Sequence, residues 1–293
     1  MTPVDFDFLR HFLKKKSGLA LSADKQYLVE SRLLPVARRV GVANLGALVA
    51  HLREPNSENA ATEVVEAMMT NETFFFRDKM PFEHFRVTMM PALLAARAAT
   101  KRIRIWCTSA SSGQEPYSLA MILKEMGAAT EGWRIDILAT DIASGVLEKA
   151  RRGCYSQFEV QRGLPIGLLI KHFTQVGDQW QISPEIRAMV QYRPLNLLRD
   201  FANLGTFDIV FCRNVLIYFD EETKTGVLDR LAQVMAPDGF LALGAAETVV
   251  GLTRALKPIP DKRGLYAPDR SAGSGGGTMR SGTARLTLVA NRR

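Results

Sequence analysis

The sequence predicts an α/β fold of the doubly wound type, preceded by a helical segment. Three observations support this prediction. A short strand, a loop of small residues and a helix follow one another over residues 102–126. Two further apolar strands occur at Arg134–Thr140 and Thr206–Arg213. Residues 1–90 instead carry their apolar residues at helical spacing.

Residues 102–126 are the unit around which the rest of the chain is organised. The first six residues, RIRIWC, alternate with the period-two pattern of a strand. The small residues Thr108–Gly113 follow, and Pro116 suits the first turn of the next helix because its missing N–H is not needed there. Units of this kind bind nucleotides at the carboxyl ends of their strands.

The loop of this unit favours a particular kind of ligand. Its single glycine, Gly113, does not make the G-x-G-x-x-G pattern that lets backbone approach a pyrophosphate. The loop therefore favours a nucleoside cofactor such as S-adenosylmethionine over NAD. A tight turn that binds nothing has the same pattern, and that alternative stays open.

The composition is typical of a globular protein. The 293 residues suffice for one large or two smaller domains, with 47% hydrophobic and 23% charged residues. No apolar run approaches the ~20 residues of a membrane span, and no secretory signal is visible at the amino terminus. The three cysteines and four histidines lack the spacing of a disulfide framework or a metal site, so we expect a reducing compartment and no metal.

The net charge of +8 is unevenly distributed. Residues 270–293 hold five arginines and no acid, which leaves +3 for the rest of the chain. We expect this Gly/Ser-rich tail to be flexible. A nucleic-acid-binding protein normally carries its basic excess on the folded body, and we therefore predict no nucleic-acid partner.

The amino-terminal region predicts four helices. Phe6, Leu9 and Leu13 share one face of the first, and Ser22 is a candidate N-cap for a second that ends near Val40, with Pro35 expected to kink or split it. Two shorter helices are predicted at Leu45–Arg53 and Thr62–Met69. Basic residues of the second helix, Arg32, Arg38 and Arg39, form either an ordinary solvated surface or a docking face for an acidic partner.

Two features point to ligand contacts beyond the loop. The stretch TNETFFFRD, residues 70–78, sets polar donors beside three phenylalanines, which suits a mostly apolar pocket, although interdomain packing explains the phenylalanines equally well. Asp141 follows the second strand, where a carboxylate can bind both ribose hydroxyls. Its alternative role is to cap a helix over Ala143–Arg152, and both roles are compatible.

The remaining elements interrupt and then resume the alternation of strands and helices. Residues 153–193 suggest an inserted antiparallel piece with a hairpin of Phe173–Val176 and Gln179–Ile182, followed by a strand near Met189–Tyr192. After the buried strand Thr206–Arg213, Asp220 is expected to cap a helix reaching Met235. A turn at residues 237–239, a strand at Phe240–Gly244 and a closing strand at Leu265–Tyr266 complete the prediction.

These motifs together resemble the chemotaxis receptor methyltransferase family, CheR. The resemblance covers roughly residues 5–268 and rests on TNETFFFRD (70–78), SSGQEPYS (111–118), ATDI (139–142), LNLL (195–198) and CRNVLIYFD (212–220). It implies a Rossmann-like class I methyltransferase that uses S-adenosylmethionine to methylate glutamate side chains of chemoreceptors. Four parts are implied, namely a helical domain (1–70), a linker that contacts the cofactor (71–100), a methyltransferase domain (101–269) with a small β-subdomain inserted at about 153–193, and the tail (270–293).

The resemblance also implies roles for individual residues. Glu115 is expected to hold the methionyl amino group and Asp141 the ribose, while Arg77 and Tyr218 are expected near the transferred methyl group. The expected cofactor-binding residues are Asn71, Thr73, Arg77, Glu115, Asp141, Asn196, Leu197, Arg213 and Asn214. Receptor methylation sites lie on acidic helices, which favours Arg32, Arg38 and Arg39 as docking residues.

The residue inventory agrees with this chemistry. A glutamate side chain, with a reference pKa of ~4.3, is ionised at neutral pH and can attack a sulfonium methyl group in line without a general base or a metal. We expect a cytoplasmic enzyme recruited to membrane receptors, with no membrane insertion. In some members of the family the β-subdomain also tethers the receptor's carboxyl-terminal peptide.

Four rival functions are possible for a domain of this class. A DNA amino-methyltransferase is disfavoured because residues 214–217 lack the Pro-Pro motif of that class. A NAD-dependent dehydrogenase is disfavoured by the absent glycine fingerprint. A non-catalytic module that binds S-adenosylmethionine and a methyltransferase with another substrate remain as alternatives.

Overall fold

The computed structural model describes residues 1–269, so the predicted flexible tail lies outside the described residues. The chain begins with four helices that surround a core of their own, which includes Leu9, Leu13, Leu33 and Val64. A 3-10 turn, Ala23–Lys25, precedes the second helix. The helices are α1 (Pro3–Ser17), α2 (Gln26–Val40), α3 (Leu45–Leu52) and α4 (Glu58–Met68).

Helix α2 continues through Pro35, so the expectation that the proline splits this helix is wrong. Leu33, Val36 and Ala37 around the proline are buried in the core of the helical domain. Tertiary packing of an apolar face supplies most helix stability in proteins, and here it outweighs the loss of one backbone hydrogen bond. The helix ends at Gly41, whose φ of 83° suits a residue without a side chain.

A connecting segment follows, with α5 (Met80–His84), a π-helical turn (Phe85–Met89) and α6 (Met90–Ala96). The first half of the α/β domain then contains β1 (Arg102–Cys107), α7 (Gln114–Glu125), β2 (Arg134–Asp141) and α8 (Ser144–Arg152), with a 3-10 turn at Gly127–Thr130. The predicted strand, loop and helix of residues 102–126 are thus present.

The inserted subdomain is a three-stranded antiparallel sheet with two short helices. Its elements are β3 (Cys154–Ser156), α9 (Gln157–Gln161), α10 (Ile166–His172), β4 (Phe173–Val176) and β5 (Gln179–Ile182). The strand order is β3-β5-β4, and the predicted hairpin is β4 with β5. The subdomain ends before the predicted residue 193, because residues 190–194 belong to the main sheet.

The second half of the domain completes the main sheet. Its elements are α11 (Pro184–Ala188), β6 (Val190–Pro194), β7 (Phe207–Cys212), α12 (Glu221–Gln233), β8 (Met235–Leu243), β9 (Leu256–Pro258) and β10 (Leu265–Pro268). Two 3-10 turns, Ala202–Leu204 and Leu216–Tyr218, lie between them. The turn expected at residues 237–239 is instead part of β8, whose register against β7 is irregular there.

The main sheet has the order β6-β2-β1-β7-β8-β10-β9. Its first five strands are parallel, and β10 and β9 are antiparallel. Apolar side chains pack on both faces, with Ile105 and Ile209 in one core and Trp106 and Val210 in the other. All six residues of β7 are buried, as expected for a central parallel strand. The carboxyl ends of the parallel strands therefore meet at one edge.

Candidate functional site

A deep pocket lies at the carboxyl edge of the main sheet, where β1, β2, β6 and β7 end. Its volume is about 920 Å³, counted with the space at its open mouth. The end of α1 and the segment after α4 cover it, so the helical domain supplies part of its wall.

The pocket brings together every residue that the sequence associates with the cofactor or with methyl transfer. These residues come from the segment after α4, the first turn of α7, the end of β2 and the segments that follow β6 and β7. They are Asn71, Thr73, Arg77, Glu115, Asp141, Asn196, Leu197, Arg213, Asn214 and Tyr218. The three arginines expected to dock a substrate, Arg32, Arg38 and Arg39, do not line it.

A buried ion pair forms the floor of the pocket. The Arg213 guanidinium donates through Nη1 to Glu115 Oε2 at 2.7 Å and through Nη2 to Asp78 Oδ2 at 2.9 Å. Nη2 also donates to the backbone carbonyl of Arg77 at 2.6 Å. One side chain from β7 thus joins helix α7 to the segment 70–78. Since a buried charge is tolerated only when paired, these acceptors fix where Arg213 lies.

Glu115 keeps an oxygen without a partner. Its Oε1 is buried and, within residues 1–269, receives no hydrogen bond from an N–H or O–H group; the Cys107 thiol, a weak donor, lies beside this carboxyl. Burial raises the pKa of this carboxyl, and Arg213 opposes the shift. A buried acceptor without a partner carries a free-energy penalty of ~1–3 kcal/mol. An ammonium group bound here would remove that penalty, which agrees with the role expected for Glu115.

Asp141 does not cap helix α8, whose N-cap is Ala143 without a side-chain cap hydrogen bond, but it lines the pocket and binds two backbone N–H groups. Its Oδ2 accepts the Ser111 N–H at 2.8 Å, and its Oδ1 accepts the Ala143 N–H at 3.0 Å. A carboxylate has about four lone-pair positions, so each oxygen can accept a further hydroxyl. Burial raises the pKa of Asp141, while the backbone N–H groups oppose the shift. The capping interpretation is therefore wrong, and Asp141 instead orders the loop after β1 and the turn before α8 while it keeps acceptor capacity toward the pocket.

The segment TNETFFFRD contains residues that pack against the inserted subdomain and residues that line the pocket, as its two interpretations require. Phe75 is fully buried and packs edge to face against Tyr155 and Phe173 of the inserted subdomain. The Asn71 carbonyl accepts the Ser111 hydroxyl at 2.8 Å, which ties the segment to the loop after β1. The phenylalanine serves packing, and the neighbouring polar residues face the pocket.

Arg77 and Tyr218 approach the pocket from opposite segments. Arg77 Nη1 donates to the Glu72 carbonyl at 2.7 Å, and its guanidinium lies 5.6 Å from the centre of the Phe74 ring. The Tyr218 carbonyl accepts the Ala20 N–H at 2.8 Å. The backbone at Tyr218 is thereby attached to the helical domain.

Two more contacts strengthen that attachment. Lys14 Nζ lies 2.6 Å from Asp220 Oδ2, and Asn196 Nδ2 donates to the Lys16 carbonyl at 2.7 Å. Gly18, with φ of 80°, lies so close to Phe219 that an added Cβ would be 2.9 Å from the ring. The end of α1 therefore packs directly on residues 218–220.

One functional residue was missed by the sequence analysis, namely Glu247. Its carboxylate accepts five backbone N–H groups, at distances from 2.7 to 3.3 Å. The donors are Asn214, Val215, Leu216, Ile217 and Gly244. Four of these belong to the segment that carries Tyr218, and Asn214 has a φ of 58°. Its position after β8, analogous to Asp141 after β2, was the only signal available.

The predicted docking arginines have different surroundings. Arg32 donates to the carbonyls of Met68 and Met69 at 2.7 and 3.1 Å, just before the pocket-lining segment. Arg39 forms an exposed pair with Glu63 at 2.9 Å. Arg38 is exposed. Arg32 thus supports the wall of the pocket, and Arg38 and Arg39 are available at the surface.

Residues 1–269 also contain potential metal ligands, cysteines and apolar helices. No group of three or more potential metal ligands occurs there. The three cysteines are unpaired, and burial raises the pKa of Cys107 and of Cys212. No single helix in this range is long and apolar enough to cross a membrane, although the bent pair of residues 23–40 and 45–52 meets the test by length and composition.

Comparison with known proteins gives consistent matches along the chain. Residues 4–69 match the CheR methyltransferase all-alpha domain, and residues 71–265 match the CheR methyltransferase SAM-binding domain. Chemotaxis protein methyltransferase 1 of Pseudomonas aeruginosa is 41% identical over 88% of this chain and 92% of that protein. Chemotaxis protein methyltransferase Cher2 of Pseudomonas putida is 40% identical over 85% and 92%. A chemotaxis protein methyltransferase of Borreliella burgdorferi is 35% identical over 80% and 84%.

The pocket fits S-adenosylmethionine, the cofactor of the matched domain. The unpartnered Glu115 Oε1 suits an ammonium group, and the remaining acceptor capacity of Asp141 suits hydroxyls. S-adenosylmethionine carries both kinds of donor. Two observations made on the protein alone therefore agree with the cofactor.

Replacing Asp141 with alanine should weaken binding of S-adenosylhomocysteine by about 1–3 kcal/mol, because the ribose hydroxyls lose their acceptor. Calorimetric titration of the purified chain measures the change. Asp178→Ala, in an exposed turn, is the matched control and should bind like wild type.

The same titration should depend on pH. Burial raises the pKa of both Asp141 and Glu115, so acidification protonates them while an unperturbed aspartate, with a pKa of ~3.9, is still ionised. Protonation removes acceptors, and affinity should therefore fall as the pH is lowered from neutral. The fall should be smaller in Asp141→Ala. If Asp141→Ala binds S-adenosylhomocysteine as tightly as wild type does at every pH, Asp141 does not bind the ribose.

Glu247→Gln should reduce both stability and turnover. The amide offers one acceptor oxygen to five N–H groups and turns an NH₂ group toward some of them, at a cost of ~1–3 kcal/mol. Urea denaturation and methyl-transfer assays measure the two effects, with the exposed Glu131→Gln as control. If the denaturation midpoint and turnover both match wild type, the segment 214–218 does not depend on Glu247.

Proposed function

This chain belongs to the CheR methyltransferase family, and we propose that it esterifies specific glutamate side chains of chemoreceptors. The coarser assignment, an S-adenosylmethionine-dependent methyltransferase of chemotaxis, follows from the family and its relatives. The glutamate acceptor is the part that we propose. The observation that carries it is the position of Arg77 and Tyr218 in one pocket with Glu115 and Asp141.

The acceptor chemistry requires little from the protein. When bound, S-adenosylmethionine supplies a methyl group on a positively charged sulfur. An ionised glutamate oxygen forms the new bond to that carbon while the carbon–sulfur bond breaks, and the electron pair stays on sulfur. No proton moves, so neither a general base nor a metal is needed. The enzyme's contribution is orientation, which in favourable cases lowers a barrier by up to ~7–11 kcal/mol.

Arg77 and Tyr218 supply that orientation in this proposal. The Arg77 guanidinium is half-buried and donates one hydrogen bond, to the Glu72 carbonyl, within the described residues, so it retains donors for an incoming carboxylate. A fully formed ion pair would make the carboxylate a weaker nucleophile. We therefore assign Arg77 and Tyr218 to positioning the acceptor rather than to activating it.

The protein partner in this proposal is a membrane chemoreceptor, which the enzyme meets from the cytoplasm. Arg38 and Arg39 on helix α2 are the surface charges proposed to meet the acidic receptor helix. Arg32 remains in the proposed docking face through its charge, although its donors contact the protein's own backbone. A receptor peptide at the inserted subdomain also remains a proposal.

Arg77→Ala and Tyr218→Phe should each lower turnover on a purified chemoreceptor cytoplasmic fragment by at least ~10-fold, equivalent to ~1.4 kcal/mol. The reason is loss of acceptor orientation while the fold is kept. Mass spectrometry of the fragment identifies glutamate methyl esters, and denaturation curves check the fold. Arg86→Ala and Tyr27→Phe are the surface controls. Wild-type rates in both test variants would contradict the assigned roles, and the absence of any glutamate ester with wild type would contradict the proposed function.

Arg38→Ala combined with Arg39→Ala should raise KM for the fragment by up to about tenfold, because each exposed ion pair contributes ~0.2–1 kcal/mol. Affinity for S-adenosylhomocysteine should not change, and the dependence of KM on salt should become shallower. Initial rates at several salt concentrations measure these effects, with Arg254→Ala as control. An unchanged KM would mean that α2 does not meet the receptor.

A further inference from the structure

A second arginine lies beside the mouth of the pocket, outside the predicted site residues. Arg162, between α9 and α10 of the inserted subdomain, donates through Nη2 to the Glu72 carboxylate at 2.5 Å. Its guanidinium lies 4.4 Å from the centre of the Phe74 ring. Arg77 lies 5.6 Å from the centre of the same ring. Two guanidinium groups thus share one aromatic ring at the pocket mouth.

Glu72 connects these two arginines. Its backbone carbonyl accepts from Arg77 at 2.7 Å, and its carboxylate accepts from Arg162. Glu72 itself lines the pocket. The Arg162 guanidinium holds the pKa of the Glu72 carboxyl below its ordinary value, with a smaller contribution from Arg77. The mouth therefore already contains one bound carboxylate, supplied by the enzyme itself.

The backbone next to Arg162 is closely packed. An added Cβ at Gly163 would lie 2.2 Å from the Phe75 carbonyl oxygen, and the φ of Gly163 is 85°. Only glycine allows this turn to press against the segment 74–75. The position from which Arg162 extends is therefore fixed relative to Arg77, as a specific binding site requires.

The pair of Glu72 and Arg162 is exposed enough to exchange partners. The side chains are 54% and 41% exposed, respectively. Exposed ion pairs contribute little to stability, so a different carboxylate can replace Glu72 at small cost. A guanidinium has five N–H donors, and within residues 1–269 the hydrogen bond recorded for Arg162 is the one to Glu72.

We propose that Arg162 is a specificity residue that binds a second carboxylate of the substrate, three or four residues from the target glutamate on the same helix face. Glu72 occupies Arg162 in the free enzyme and is displaced when the substrate binds. The inference rests on the proposed function, in which Arg77 receives the target glutamate of an acidic helix. Side chains three or four residues apart on a helix are separated by about 5–6 Å between their Cβ atoms and share one face, so two neighbouring acids of one helix can approach Arg77 and Arg162 together.

The displacement of Glu72 gives the proposal a test with effects of opposite sign. Arg162→Gln should raise KM for a purified chemoreceptor cytoplasmic fragment by about two- to fivefold, because the second carboxylate loses its partner. Glu72→Gln should lower KM by a similar factor, because Arg162 no longer has a competing carboxylate. Arg187→Gln, another arginine close to the subdomain that donates to the Arg152 carbonyl, is the matched control.

The substrate side of the test uses the same fragment with neighbouring acids changed to glutamine, three or four residues on either side of each esterified glutamate. Such a change should raise KM with wild-type enzyme and leave it nearly unchanged with Arg162→Gln. Calorimetry with S-adenosylhomocysteine and denaturation curves accompany each variant. If Arg162→Gln does not fold, the Glu72→Gln measurement and the altered fragments still decide the matter.

The outcomes separate the inference from the proposed function. A wild-type enzyme that esterifies no glutamate overturns the proposed function and this inference with it. If wild type is active but Glu72→Gln and Arg162→Gln both raise KM, the pair is only a structural link and the inference is wrong. It is equally wrong if the neighbouring acids have no effect on wild-type KM.

Discussion

The organisation of the site depends on the burial of one charge, that of Arg213. This side chain is 3% exposed, and it extends from the end of the central strand β7 into the middle of the domain. A guanidinium in that position must be paired, because an unpaired buried charge costs several kcal/mol. Its acceptors come from α7 and from residues 77–78. Satisfying Arg213 therefore brings together segments that are far apart in sequence.

The pairing is incomplete in a way that suits a ligand. Arg213 Nε and Glu115 Oε1 are both buried and have no partner within the described part of the chain. In a site built only for stability, each of these two buried atoms would have a hydrogen-bond partner. Nearby Glu247 shows the contrast, because its carboxylate is saturated by five backbone N–H groups and holds the segment that carries Tyr218. One carboxylate thus maintains structure, and the other retains capacity for binding.

The sequence predicted the parts of the site that depend on local pattern. The strand, loop and helix of residues 102–126 follow from alternation and small residues, and Asp141 follows from its place after β2. Glu247 could not be recognised, because four of its five partners lie 30 to 33 positions away and no spacing rule connects them. The expected split of α2 at Pro35 was wrong for a related reason, since local preference favours a break and the packed core around Leu33 and Val36 preserves the helix. Arg32 was identified by charge alone, and charge does not reveal that its donors point to the carbonyls of residues 68–69.

The helical domain has a second role besides any contact with a receptor. Lys14, Lys16 and Ala20 contact Asp220, Asn196 and Tyr218, respectively, so the end of α1 forms part of the pocket wall beside Tyr218. The hydrogen bond from Ala20 reaches the Tyr218 backbone directly, and the Lys14 pair reaches Asp220 two residues later. The helical domain and the α/β domain therefore share a boundary at the pocket, and a displacement of the end of α1 would change the position of Tyr218. In the proposed function the enzyme's contribution is orientation of the acceptor, so the helical domain helps to set the property on which that function depends.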